Sequence, residues 1–132
     1  MDLYLLMNIS LLLAVGIGGF IGAVLRFTLS GWVQKFSAST FPFGTLSVNI
    51  LGSFLIGFLF LYFQQVNLSP NQKVLFMTGV LGALTTFSTF SLDTVLLMQQ
   101  ELYLKAFSNV LLNVVFSISA TLLGMMVFRK VF

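Results

Sequence analysis

The chain reads as an all-α membrane protein, one unit of four transmembrane helices with the third broken near the bilayer midplane. Three observations support this. Charged residues make up 7% of the 132 residues and hydrophobic ones 58%, whereas a soluble domain needs roughly 25% charged residues for its water-facing surface. The apolar residues gather into four segments, each able to supply the about 20 residues that a helix needs to cross the hydrocarbon core. Short polar connectors separate them, and no soluble domain, linker or low-complexity stretch remains.

The first segment covers about residues 3–29. Asp2 precedes it, no basic leader region is present, and its apolar run exceeds the ~7–15 residues of a signal-peptide core, so it reads as a membrane helix. Ala14, Gly18 and Gly22 recur every four residues, a spacing that lets helix backbones approach closely. Gly16 and Gly19 widen this smooth surface, and without a surrounding strand or βαβ unit the glycines are no nucleotide fingerprint. Arg26 is the one charge well inside a span. It either snorkels to the interface or lines a vestibule where it raises the local anion concentration. Residues 30–43, with Trp32, Lys35 and Pro42, read as a wet interfacial turn.

The second segment, about 44–63, holds Asn49 deep in the run from Thr45 to Ser53. An amide there has two donors and two acceptor sites to satisfy. Two readings stand side by side: a bond that glues helices, or a donor lining a pore. In the next connector, Ser69-Pro70 marks a helix start.

The third segment, about 74–98, carries Gly79 and Gly82 ahead of the β-branched pair Thr85-Thr86, and then Phe87-Ser88-Thr89-Phe90. Hydroxyls at mid-membrane are costly unless protein or water surrounds them. A break here would turn carbonyl oxygens toward a cation; the alternative is an intact helix whose threonines bond back to the preceding turn. Phe87 and Phe90 lie three apart on one face. The positive edges of aromatic rings could hold a small anion more weakly than a full charge would, although packing also explains such pairs. Residues 99–103 form the tightest connector. The fourth segment, about 105–128, shows Asn109, Asn113, Ser117 and Thr121 four apart, one polar stripe able to donate hydrogen bonds and free of carboxylate.

Several function classes fall away. The chain has no cysteine and no histidine, which argues against disulfides, thiolate metal sites, Ser-His catalysis and pH sensing near neutrality. Asp2, Asp93 and Glu101 are its only acids, little material for a paired-carboxylate enzyme. The net charge of +3 comes from lysines and arginines flanking the spans and does not imply nucleic acid. Lys73, Arg129 and Lys130 fall on one side of a four-helix topology, and Arg26, Lys35 and Lys105 on the other. That balance gives no positive-inside preference and suits dual topology, with two copies paired antiparallel. Four segments hold no obvious inverted repeat, so any such symmetry must come from a second chain.

Three blocks carry a resemblance: Gly18-Gly19-Phe20-Ile21-Gly22-Ala23-Val24-Leu25-Arg26-Phe27, Phe41 to Ser53, and Gly79 to Phe90. In this order they make the chain similar, over essentially its whole length, to the small bacterial fluoride channels, also described as fluoride exporters of the CrcB type. The resemblance implies an antiparallel homodimer with two pores in the bacterial inner membrane, passing fluoride passively out of the cell. It implies that Phe87 and Phe90 contact fluoride, that Asn49 donates to it, and that Ser88 and Thr89 line the pore. Gly82 and Thr85 would hold a structural Na+ at the dimer twofold through their backbone carbonyls, and Arg26 would sit near the vestibule. Many relatives carry glutamate where this chain has Asp93. Asn113, Ser117 and Thr121 are the expected polar track of the fourth helix. A small dual-topology drug or cation exporter is the rival reading, but it needs a membrane carboxylate that the first helix lacks. A purely structural subunit would explain the glycines but not the polar line.

Overall fold

The computed structural model describes residues 3–132; Asp2, used above against a signal peptide, lies outside them. Among the described residues the structure is all-helical. Helix α1 spans Leu3–Ser37 and α2 spans Phe43–Gln65. The third span, Pro70–Gln99, consists of α3 (residues 70–84) and α4 (Phe87–Gln99). Helix α5 spans Tyr103–Val131. All four spans are long and apolar enough to cross a membrane, so the chain is a multi-pass membrane protein.

The first connector differs from expectation. Residues 30–37 continue α1, and only 38–42 form the turn. No proline interrupts this stretch, and the Ser30 and Ser37 hydroxyls donate back to the carbonyls of Arg26 and Gln34. The helix ends where Ala38 turns left-handed, at φ 47°. Pro42, at the start of α2, offers no side-chain cap. Gln34 takes over that duty from α1: its Oε1 accepts the Gly44 N–H at 3.0 Å, and its Nε2 donates to the Ser39 and Phe41 carbonyls. At the next connector Ser69 and Gln72 cap each other's backbone with Pro70 in the first turn, a capping box that satisfies two otherwise orphaned donors.

Two backbone-close pairings build the bundle. Helix α1 lies on α3, and α2 lies on α5. Gly18, Gly22 and Ala14 are buried as the four-residue spacing predicts, whereas Gly16 is exposed. A Cβ on Gly18 would stand 2.9 Å from the Gly79 Cα, and one on Gly79 would stand 2.8 Å from the Gly18 Cα. Without a hydrophobic drive between helices in lipid, such van der Waals contact is a main source of association. Gly57 and Gly124 do the same for α2 and α5, against Thr121 and Phe54 backbone.

Within α3, residues Leu75–Leu81 widen into a π-helix, a feature found frequently at functional sites; nothing in the sequence pattern announces it. The break itself falls where expected. Thr85 (ψ 156°) and Thr86 (φ −150°, ψ 117°) are extended, and α4 restarts at Phe87. The Thr85 hydroxyl does donate to the Leu81 carbonyl at 3.1 Å, as an intact helix would have it, but the backbone leaves the helix at that residue.

Candidate functional site

A helix break inside a membrane strands backbone N–H and C=O groups that water cannot satisfy there. Here Asn49 of α2 pairs with both backbone groups of Thr86. Its Oδ1 accepts the Thr86 N–H at 2.7 Å, and its Nδ2 donates to the Thr86 carbonyl at 3.1 Å. The side chain thus pairs with Thr86 much as a neighbouring strand would. Thr86 in turn caps α4: its Oγ1 accepts the Thr89 N–H at 3.2 Å and donates to Thr89 Oγ1 at 3.0 Å. Such a cap stabilises a helix start by about 1 kcal/mol. The sequence places Thr86 at the break, but its role as the cap and as the partner of Asn49 was missed. The signal was present: a threonine directly before a resumed helical run is a cap position.

These two interactions free two carbonyls. In a continuous helix the Gly82 carbonyl would accept from the Thr86 N–H and the Thr85 carbonyl from the Thr89 N–H. Both N–H groups are instead bound by side chains. Gly82 is exposed, and only the Met77 carbonyl lies within 4 Å of a Cβ placed there.

Thr86 also separates two cavities. The first, about 410 Å³, is lined by Asn49, Ser53, Phe87, Phe90, Asn113 and Ser117, together with Gly82, Thr85, Thr86 and apolar residues. No charged side chain lines it. The second, also about 410 Å³, is lined by Arg26, Ser30, Thr45, Thr86 and Thr89. Arg26 therefore faces a cavity that reaches the break. Beyond this cavity, Thr45 donates to Asp93 at 2.7 Å, which ties α2 to α4.

The predicted residues separate into groups. Asn49, Phe87, Phe90, Asn113 and Ser117 come together at the first cavity. The two rings differ: Phe90 is 7% exposed and Phe87 78%, with centroids 5.3 Å apart and planes at 63°. Thr89 belongs to the second cavity, and Ser88 is exposed and lines neither. Thr121 also lies outside both; its hydroxyl donates to the Ser53 and Ser117 carbonyls. Asn113 reaches the first cavity but offers it no amide hydrogen, since Nδ2 donates to the Asn109 carbonyl and Oδ1 at 2.8 and 2.9 Å. Ser53, which lines the first cavity, stands out in the sequence only as a neighbour of Asn49.

Fold and site together define a small multi-pass membrane protein organised around a broken helix, with polar uncharged groups at the break. The sequence profile of the family described as CrcB-like protein, Camphor Resistance (CrcB), matches residues 13–125, and the chain belongs to that family. It is 60% identical over 122 residues to a protein of Sulfurovum sp. (strain NBC37-1) named Fluoride-specific ion channel FluC, covering 92% of this chain and 96% of that one. A protein of the same name from a Nitratiruptor species is 55% identical over 126 residues, 96% and 98% of the two chains. Another, from Campylobacter jejuni subsp. jejuni serotype O:23/36 (strain 81-176), is 51% identical over 118 residues, 89% and 97% of the two.

Proposed function

We propose that this chain forms a fluoride-selective channel of the bacterial inner membrane, letting fluoride leave the cell passively and so lowering its toxicity. The observation that carries the reading is the Asn49 amide at the helix break, flanked by Phe87 and Phe90 in a cavity with no charged lining. Fluoride holds its water strongly. A selective path must replace that water with several weak donors and still let the ion leave. The Asn49 amide, ring edges of Phe87 and Phe90, and the Ser53 and Ser117 hydroxyls are donors of that kind. Arg26, in the adjoining cavity, would concentrate anions at the entrance. No bond is made or broken, so no enzyme chemistry is invoked. A proton-coupled cation exporter would need a carboxylate in the cavity, and none lines it.

One chain does not complete this path. A cavity of about 410 Å³ is more than ten times the ~30 Å³ share of a water molecule and cannot by itself select a bare ion. Phe87, at 78% exposed, needs cover. A second copy, inserted antiparallel, supplies both narrowing and cover, in keeping with the even split of cationic residues across the membrane. The freed carbonyls of Gly82 and Thr85 fit a Na+ between the copies, since a hard cation favours oxygen ligands. Bound there, the ion would neutralise inward-turned carbonyl dipoles and tie the pair together.

Liposomes holding the purified protein, with potassium-valinomycin as charge shunt, test the channel. Fast fluoride efflux with negligible chloride efflux is expected, and a folded protein that passes no fluoride would return the polar groups to a structural role. Phe87→Ile, which keeps bulk but removes the ring edge, should slow fluoride about 2- to 10-fold, the range of an aromatic edge interaction. Replacing Na+ by N-methylglucamine should speed subunit exchange between differently labelled dimers. Equal exchange rates in both cations would remove Na+ from the assembly.

A further inference from the structure

Five hydrogen bonds run in one direction around the site. The Thr86 N–H donates to Asn49 Oδ1 at 2.7 Å, and Asn49 Nδ2 donates to Asn113 Oδ1 at 2.9 Å. Asn113 Nδ2 donates to Asn109 Oδ1 at 2.9 Å, Asn109 Nδ2 to Thr94 Oγ1 at 3.0 Å, and Thr94 Oγ1 to the Phe90 carbonyl at 2.8 Å. The series leaves the third span just before Phe87, crosses α2 and α5, and returns to Phe90. Its ends cannot be reversed: a backbone N–H only donates and a backbone carbonyl only accepts. The Asn109 carbonyl, which also accepts from Asn113 Nδ2, fixes the middle. No amide in the series can flip without setting donor against donor.

Both hydrogens of the Asn49 amide are therefore engaged before any ion arrives. One is held by the Thr86 carbonyl within the two-point pairing that closes the helix break. The other is held by the side-chain carbonyl of Asn113, Oδ1, alone, on the wall of the first cavity. Of the two, only the second can be surrendered without opening the break.

We infer that Asn113 is a specificity-determining residue: its carbonyl is a resident acceptor from which a permeating anion must win the Asn49 hydrogen. This inference rests on the fluoride-channel reading. Asn109 and Thr94 are positioning residues that keep the Asn113 carbonyl, rather than its amide nitrogen, toward Asn49. Asn109 is 0% exposed, so the clamp is shielded from water in the pore. The consequence is a threshold. Fluoride, with its charge concentrated on a small sphere, accepts hydrogen bonds strongly enough to displace an amide carbonyl. Chloride, larger and a weaker acceptor, does not, and the carbonyl's partial negative charge repels it meanwhile. Asn113 thus contributes to selectivity by competing with the ion rather than by binding it.

The test compares fluoride and chloride efflux from liposomes for the wild type, Asn113→Ala, Thr94→Val and Asn49→Ala. Asn113→Ala should lower the fluoride-to-chloride efflux ratio about 5-fold, the factor one neutral hydrogen bond supports. Thr94→Val, nearly isosteric and remote from the cavity wall, should shift the preference the same way by a smaller factor. A merely structural role would lower both fluxes together and leave their ratio alone. An unchanged ratio in both variants overturns the inference. So does a fluoride loss in Asn113→Ala as complete as in Asn49→Ala, which would make Asn113 a donor to the ion. A wild type that excludes chloride but passes fluoride keeps the channel reading intact in either case; a wild type that passes neither brings down that reading and this one with it.

Discussion

Asn49→Ala is expected to cost fluoride efflux roughly 10- to 100-fold, the range set by one hydrogen bond to a charged partner at ~1.5–3 kcal/mol. The same truncation strands the Thr86 N–H and takes away the side-chain donor to the Thr86 carbonyl. An unsatisfied buried group costs about 1–3 kcal/mol, so the variant should also unfold at lower temperature. Asn49→Asp keeps an acceptor for the Thr86 N–H but has no hydrogen for the Thr86 carbonyl, Asn113 Oδ1 or an anion, and its charge repels fluoride. With a carboxylate oxygen set against two acceptor oxygens and no cationic partner, it should be no more stable than the alanine variant and pass no more fluoride. Thermal unfolding in detergent, run beside the efflux assay, reads both quantities. Wild-type efflux in either variant would remove Asn49 from the pore.

Gly18→Ala is expected to destabilise the bundle more than any surface change. The added Cβ meets the Leu75 carbonyl and Gly79 Cα, backbone atoms that cannot rotate aside as a side chain can. Overpacking costs about 1–3 kcal/mol even where side chains can adjust, and here relief requires α1 to move off α3. Because α3 carries the break, fluoride efflux should fall together with the yield of monodisperse protein. Gly16→Ala, two residues away, is the control. Nothing lies within 4 Å of its added Cβ, and a helical glycine-to-alanine change contributes about 1 kcal/mol of propensity. Stability should then hold or rise. Equal behaviour of the two variants would mean that the Gly18–Gly79 approach does not hold α1 to α3.

Much of the fold was legible because lipid leaves few choices: every backbone polar group must be satisfied internally, and the lengths of apolar runs then count the spans. The expectation of four helices is borne out, as are the start at Ser69-Pro70 and the break at Thr85-Thr86. So is the family, on the motif blocks around Gly18, Asn49 and Phe87. Boundaries fared worse. Residues 30–43 look like an interfacial turn by their Trp32, Lys35 and Pro42, yet 30–37 continue α1, and Gln34 draws the following turn back onto the helix.

The sequence alone determined the solvent, the number of spans and the weak point of the third one, since each follows from composition or from residues adjacent along the chain. Only the tertiary structure decided what each polar group does. Asn109, Asn113, Ser117 and Thr121 form one stripe by spacing, but their hydrogens are allotted by neighbours both within that helix and on other helices. Thr121 is spent on backbone carbonyls, Asn113 on Asn109, and Ser117 is left to face the cavity. The exposed Phe87 and buried Phe90, three residues apart, were likewise indistinguishable by periodicity. A hydrogen bond depends on distance and direction between groups 37 or 64 residues apart, as at Asn49, and no local pattern encodes which partner is reached first.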